Sequence, residues 1–150
     1  MNYIEPKLEL ALEYLDQLDP ETKPKWGSMT AQEMIEHLTD TLRIANGKSH
    51  FPLETPEKYL EKSHEFLMSD SPIQKDLKAS FAPEERTLRN DNITDAIDEF
   101  TEEWISFEEH YEGNENRELH PYFGQLNFEE WQKLNQKHLS HHFLQFGLIK

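Results

Sequence analysis

The segment Asn127–Phe146, with the sequence NFEEWQKLNQKHLSHHFLQF, carries the pattern that decides the fold of this 150-residue chain. Asn127 followed three residues later by Glu130 is the sequence of a capping box, which predicts that a helix begins here. Apolar residues then recur every three or four positions, so they share one side of the helix and face a core. The predicted inward face carries Phe128, Trp131, Leu134 or Asn135, His138, His142 and Gln145.

Three of the eight histidines of the chain lie within this helix, at His138, His141 and His142. His138 and His142 are four residues apart and therefore lie one turn apart on the same face. Burying the two imidazoles without partners would cost about 1–3 kcal/mol each, whereas such a pair supplies two nitrogen ligands for a transition metal. His141 is three residues from His138 and could replace His142, but it points about 100° away from His142. We interpret His141 as a flanking residue that packs near His120.

A third nitrogen ligand is available in an earlier predicted helix. Thr30 and Glu33 form a second capping box, and His37 lies on the inward face of the helix that follows. A site of three histidines suits zinc, nickel or iron and leaves coordination positions open to water or substrate, as in catalytic metal sites. The alternative is a metal-free, hydrogen-bonded cluster of the same three histidines.

Helical periodicity elsewhere completes a set of four long helices. Residues Lys48–Asn90 contain four prolines and form a long connection between the second and third helices, with a short helix predicted at Glu57–Met68. Four helices with one long connection predict an all-α fold, a four-helix bundle, in a single domain of residues 1–150. The predicted long helices are Pro6–Leu18, Thr30–Ala45, Asn92–Glu112 and Asn127–Phe146.

Composition and charge argue against several classes of function. The net charge of −15 makes nucleic-acid binding unexpected and disfavours adsorption to anionic lipid, because both require clustered positive charge. The absence of cysteine excludes disulfides, thiolate metal sites and cysteine nucleophiles. No apolar run approaches the ~18 residues of a membrane span, and the first residues lack the features of a signal peptide. We therefore expect a soluble cytoplasmic protein that does not bind nucleic acid or membranes.

Three separated motifs point to a family resemblance. They are Trp26–Met34 (WGSMTAQEM) followed by His37, then His120–Leu126 (HPYFGQL), then His138–Gly147 (HLSHHFLQFG). Together they resemble the DinB-like (YfiT-like) superfamily, the last two being similar to the closing pattern of one branch. The resemblance covers most of the chain, and Lys48–Asn90 matches least.

This resemblance implies a fold and a metal site. The implied fold is a four-helix bundle with up-down-down-up topology. The implied cofactor is a divalent metal, often zinc or nickel, that is held by one histidine of the second helix and by the histidine pair of the fourth. Carried over to this sequence, the ligands are His37, His138 and His142.

The resemblance also implies a metal-dependent enzyme that acts on a small molecule. Characterised relatives include thiol-dependent S-transferases and isomerases, so we expect first an S-transferase that uses a low-molecular-weight thiol, and second a hydrolase. A metal lowers the pKa of a thiol, as it does that of water, and so supplies a nucleophile at neutral pH. The sequence identifies no general base. The alternative is a non-catalytic module, stress-related in role, that binds metal or forms a homodimer through its aromatic helix face.

Three further residues are candidates for supporting roles. Gln145, one turn beyond His142, is predicted either to orient a ligand or a bound water, or to make a plain helix–helix hydrogen bond. His120 precedes Pro121, which favours extended backbone. We interpret the motif around His120 and Tyr122 as structural, with a pocket-lining role as the alternative.

Overall fold

Five α-helices and one short hairpin make up the described part of the chain, which in this computed structural model comprises residues 2–75 and 86–150. A single 3-10 turn, Glu57–Tyr59, precedes the third helix. Within the described ranges, no helix is long and apolar enough to cross a membrane. The elements are α1 (Leu8–Leu15), α2 (Ala31–Ala45), α3 (Leu60–Met68), α4 (Ile93–Tyr111), β1 (Glu118–His120), β2 (Gly124–Leu126) and α5 (Phe128–Gln145).

The two helices that carry the candidate ligands begin where their capping boxes predict. Thr30 Oγ1 accepts a hydrogen bond from the backbone N–H of Glu33, and the Glu33 carboxylate accepts one from the backbone N–H of Thr30. Asn127 and Glu130 make the same reciprocal pair at the start of α5. Each box satisfies backbone donors that the first helical turn leaves open. The start of each helix, and with it the direction in which each histidine points, is therefore set locally.

The first helix is shorter than the predicted span Pro6–Leu18. α1 begins after Lys7, whose side chain makes no capping hydrogen bond, and it ends at Leu15. Leu18 is nevertheless buried, and the backbone N–H of the buried Ile4 donates to Ser140 Oγ at 3.0 Å. The apolar stripe therefore continues past both ends of the helix, which is why the spacing of apolar residues overestimates its length.

The segment that contains His120 forms a short β-hairpin, which adds a small two-stranded sheet to the mostly helical fold that the sequence predicts. β1 and β2 are antiparallel, and His120 lies opposite Gly124. Gly124 has a φ of 82°, in the left-handed region that glycine enters without strain. Strands of three residues are too short to show an alternating apolar pattern, so the spacing of apolar residues does not predict them.

The main core lies between α2, α4 and α5. α2 packs most extensively against α4 and also contacts α5. The inward side of α4 carries the aromatic residues Phe100, Trp104 and Phe107, each of which is 1% exposed or less. This packing holds α2 beside the second half of α5, where His37 of α2 meets His138.

Lys137, a buried lysine of α5, fixes the end of α3. Its Nζ donates to the backbone carbonyls of Phe66 and Ser71 at 2.6 and 2.7 Å, and it lies over the Phe66 ring. Burial lowers the pKa of Lys137 to about 8, so the group remains charged at neutral pH. The ammonium group thus adds a charged donor to the Phe66 carbonyl, which also accepts from Ser69, and supplies a donor to the Ser71 carbonyl beyond the helix end.

Replacing Lys137 by methionine is expected to destabilise the protein by about 1–3 kcal/mol, because the carbonyls of Phe66 and Ser71 lose a charged hydrogen-bond donor. The matched control is Lys133→Met, one turn earlier on α5, where the lysine pairs with the exposed Asp70 at 3.3 Å. A surface pair of this kind contributes about 0–1 kcal/mol. Urea unfolding of both variants measures the difference, and equal losses would show that Lys137 has no special role.

Candidate metal centre

Three histidines from two helices meet in a nearly equilateral triangle. The ring centroids of His37 and His138 are 4.7 Å apart, those of His37 and His142 are 4.9 Å apart, and those of His138 and His142 are 4.8 Å apart. His142 is buried, and the other two are partly buried. Among the described residues, these three are the only group of three or more histidine and acidic side chains placed closely enough to hold a metal ion.

The position of the triangle follows from the two helices. His138 and His142 lie one turn apart on α5, so both rings project from the same face. His37 lies on α2 between the buried residues Met34 and Leu38, on the face that packs into the core. The packing of α2 against α5 in this register therefore brings the three histidines together.

The distances fit a metal bound by three nitrogen atoms. Zinc–nitrogen bonds are about 2.0–2.1 Å long, so nitrogen ligands at tetrahedral angles lie about 3.3 Å apart. The Nε2 atoms of His37 and His138 are 2.8 Å apart, and one nitrogen from each of the three histidines lies within 4.8 Å of the others. Because χ2 of histidine is a broad torsion, small ring rotations can bring all three nitrogens to one metal. Three ligands leave a further coordination position open.

The electrostatics of the site keep the three imidazoles neutral. Burial, followed by repulsion from neighbouring histidines, lowers the pKa of His37 and His138 well below the usual range. Burial lowers the pKa of His142 to about 3, although its hydrogen bond to Gln145 acts in the opposite direction. A neutral imidazole has one nitrogen lone pair, which is the form that binds a metal. At neutral pH the site therefore presents three neutral imidazoles, the form of histidine that ligates a metal.

Gln145 fixes which nitrogen of His142 is available. The Gln145 side-chain amide donates to the backbone carbonyl of Trp26 at 3.0 Å, so its oxygen points the other way. That oxygen lies 2.7 Å from Nδ1 of His142 and can only accept, so we assign the His142 proton to Nδ1. Nε2 of His142 then carries the lone pair. Gln145 therefore contacts the imidazole of His142, as an orienting group would, and its second bond is to the loop before α2 and not to another helix.

Replacing Gln145 by leucine is expected to weaken zinc binding by about 10–100-fold, because groups that orient a metal-bound histidine contribute this much to affinity. Competition with a chromophoric chelator measures the effect. Gln136→Leu, on the same helix at a partly exposed position, is the matched control and should bind zinc like the wild type. Equal affinities in the two variants would contradict the orienting role.

His37 is bonded at both ring nitrogens. Its Nε2 faces Nε2 of His138 at 2.8 Å, and its Nδ1 lies 3.0 Å from Nη2 of Arg86. A guanidinium group only donates, so Nδ1 of His37 accepts and Nε2 carries the proton that is donated to His138. Arg86 was not predicted, because it lies in the connection that matches the family motifs least. No spacing rule links it to a histidine 49 residues earlier.

His141 flanks the triangle and is not one of the three residues grouped as metal-binding. Its ring contacts the edge of the Trp26 ring, with centroids 5.5 Å apart, and that of His142, with centroids 4.9 Å apart. The contact with Trp26 places the His141 ring against the loop before α2. The flanking position predicted for it is therefore the one it occupies relative to His142.

His120 and Tyr122 lie in the hairpin, at the end of β1 and in the turn that follows it. His120 is buried, its Nδ1 accepts a hydrogen bond from the backbone N–H of Tyr122 at 3.0 Å, and its ring packs against Phe123 and Trp131. The carbonyl of Tyr122 accepts hydrogen bonds from the hydroxyls of Thr55 and Ser63, both at 2.8 Å. These contacts connect the hairpin to the segment before α4. His120 is close enough to contribute to the lowered pKa of His138.

A wide cleft lies away from the histidines. It has a volume of about 760 Å³ and lies between the end of α4 and the start of α5. Its charged lining is mainly acidic, with Glu108, Glu112, Glu115 and Glu129 beside Arg117. We regard the histidine triangle as the stronger candidate site, because three neutral ligand side chains converge there, whereas the acidic residues of the cleft are exposed, as is common on protein surfaces.

Comparison with known proteins adds no family assignment. No family model matches the chain, and no curated protein or solved structure matches it. The interpretation of the site therefore rests on its geometry and on the residues that form it.

Proposed function

We propose that the protein binds one divalent metal ion, zinc or nickel, through His37, His138 and His142. The observation that carries this proposal is the convergence of three neutral imidazoles from α2 and α5, with one nitrogen of each within 4.8 Å of the others. Gln145 supports it by directing Nε2 of His142 away from its own side chain. Iron is compatible with the same ligands but is the less favoured ion.

The fold proposed for this site is a DinB-like four-helix bundle with up-down-down-up topology. In this arrangement α1, α2, α4 and α5 are the four bundle helices, and α3 belongs to the long connection. The contacts of α2 with α4 and α5, and of α1 with α4, support the proposal. A hydrogen bond between two of the family-like motifs also supports it. Gln145, in the motif His138–Gly147, donates to the backbone carbonyl of Trp26, in the motif Trp26–Met34.

We further propose that the protein is a metal-dependent enzyme, with S-transfer from a low-molecular-weight thiol favoured over hydrolysis. A divalent metal at the open site would lower the pKa of a thiol or of water and supply a nucleophile at neutral pH. The three histidines bind the ion, and Gln145 keeps the His142 proton on Nδ1. A cytoplasmic location belongs to the same proposal, because low-molecular-weight thiols are kept reduced there.

One observation favours a second candidate, a metal-binding module without catalysis. The cavity bordered by His138, Leu38 and Trp104 has a volume of only about 10 Å³ and is lined by neither His37 nor His142, so it offers a substrate no route to the triangle. In that case the metal would stabilise the fold or a homodimer, and no substrate would reach it.

Two measurements on protein without a histidine tag test the proposal. Elemental analysis after zinc or nickel loading is expected to give about one metal ion per chain, and values near zero would refute the metal site. A screen of bacillithiol, mycothiol and glutathione with electrophilic substrates should show turnover that a chelator abolishes. Stoichiometric metal without turnover in that screen, or in assays of ester and amide hydrolysis, would support the non-catalytic module.

A further inference from the structure

Arg86 is the one charged side chain that bonds directly to the histidine triangle in the described part of the chain. Its Nη2 lies 3.0 Å from Nδ1 of His37, and its charge contributes to the lowered pKa of both His37 and His142. The guanidinium is partly buried, and no carboxylate of the described residues lies within 4.0 Å of it. Arg89, three residues later, differs in this respect, because it pairs with both Asp40 and Glu99 at 2.8 Å.

Three acidic residues of the described chain that act electrostatically on Arg86 are engaged elsewhere. Asp40 pairs with Arg89. Glu36 accepts hydrogen bonds from the backbone of Arg89 and from Gln32, at 2.7 and 3.0 Å. Glu33 caps α2 by accepting from the backbone N–H of Thr30. These three carboxylates act on Arg86 through space, and none of them contacts its guanidinium directly.

Metal binding and the bond from Arg86 to His37 exclude each other. If His37 binds a metal through Nδ1, the lone pair that accepts from Arg86 is used. If it binds through Nε2, the proton of the neutral ring moves to Nδ1, where it faces a guanidinium that can only donate. In either case the guanidinium loses its acceptor when the site is loaded.

We propose that the metal-loaded site binds a substrate that carries a carboxylate, and that Arg86 is the residue that recognises this carboxylate. This inference rests on the proposed metal site. When its hydrogen bond to His37 is lost, the guanidinium of Arg86 still lies beside the triangle and requires a new acceptor. A carboxylate on a ligand held at the open coordination position supplies it, with the two-pronged geometry that arginine favours.

Cobalt-loaded protein provides a test, because the visible spectrum of cobalt changes when a thiol binds. The probes are 3-mercaptopropionate and its methyl ester, which share a carbon skeleton and differ in the carboxylate charge. The quantity measured is the ratio of their affinities in the wild type, in Arg86→Gln and in Arg89→Gln. Arg89→Gln is the matched control, because it removes the same charge three residues away without touching a histidine.

The expected result is a wild-type preference for the free acid that falls about tenfold in Arg86→Gln and is unchanged in Arg89→Gln. Arg86→Lys, which keeps the charge but not the planar fork, should fall between the two and serves if Arg86→Gln does not fold. Equal affinities in the wild type, an undiminished preference in Arg86→Gln, or an equal loss in Arg89→Gln would overturn the assignment. Failure to take up cobalt would refute the metal site and this inference together, whereas uptake without a preference would refute only the role of Arg86.

¹⁵N NMR of the histidine rings tests whether metal binding breaks the hydrogen bond between Arg86 and His37. Without metal, Nδ1 of His37 should appear unprotonated, and after zinc is added without thiol it should appear protonated or metal-bound. An unchanged His37 spectrum in protein that has taken up zinc would contradict the proposed exclusion.

Discussion

Replacing His138 by alanine is expected to lower zinc affinity by a factor of about 100 or more. Loss of a group that only orients a ligand already costs about 10–100-fold, and His138 supplies one of three ligand nitrogens. Loss of its contact with His37 adds to the effect, because the Nε2 atoms of the two rings lie 2.8 Å apart. Titration of the metal-free protein with zinc, in competition with a chelator of known affinity, measures the loss.

The neighbouring His141 provides the matched control for this experiment. It lies on the same helix and its ring contacts that of His142, but it is outside the group of three. His141→Ala should keep zinc affinity within a few-fold of the wild type. Retained affinity in His138→Ala, or an equal loss in His141→Ala, would show that the wrong pair of histidines has been assigned to the metal.

Acid is expected to unfold the metal-free protein well above the pKa of its buried histidines. The pKa values of His120 and His142 fall from 6.5 to about 3 in the folded chain because of burial. The unfolded state therefore takes up protons below pH 6.5 that the folded state does not, and each histidine reduces the stability by about 1.4 kcal/mol per pH unit. The stabilisation is complete above pH 6.5, and at pH 5 about 2 kcal/mol is lost for each of the two residues.

Urea unfolding at pH 7, 6 and 5 measures this loss, and His37 and His138 should steepen it because their pKa values are also lowered. Excess zinc should move the acid transition to lower pH, since metal and protons compete for the same lone pairs. His120→Gln should flatten the pH dependence, whereas His50→Gln, at an exposed position, is the control and should leave it unchanged. A free energy of unfolding that does not change between pH 7 and pH 5 would contradict the account.

The helices and the histidine triangle could be anticipated because their signals are local or periodic. The capping boxes at Thr30 and Asn127 fix the starts of α2 and α5 within a few residues. The spacing of His138 and His142 places both on one face, and the inward side of α2 contains His37. The faces of α2 and α5 that carry these histidines are both directed at the core. The sequence therefore predicts which histidines come together when the two helices pack against each other.

The other parts of the structure depend on contacts between distant residues. The hairpin that contains His120 is made of strands too short to show a pattern. Arg86 reaches His37 across 49 residues of sequence, from a connection without periodicity. Lys137 is buried because it finds two backbone carbonyls, whereas its residue type alone predicts a surface position. In each of these cases the position of a residue depends on a contact with a residue that is distant in sequence, which its own residue type does not indicate.

X-ray absorption at the zinc edge of the zinc-loaded, tag-free protein tests the central claim most directly. The account predicts one zinc per chain with three imidazole nitrogens at about 2.0–2.1 Å and one further light ligand, and two imidazoles in His37→Ala. A wild-type spectrum with fewer than three imidazoles, or one that His37→Ala leaves unchanged, would contradict the proposal that α2 and α5 together hold a metal.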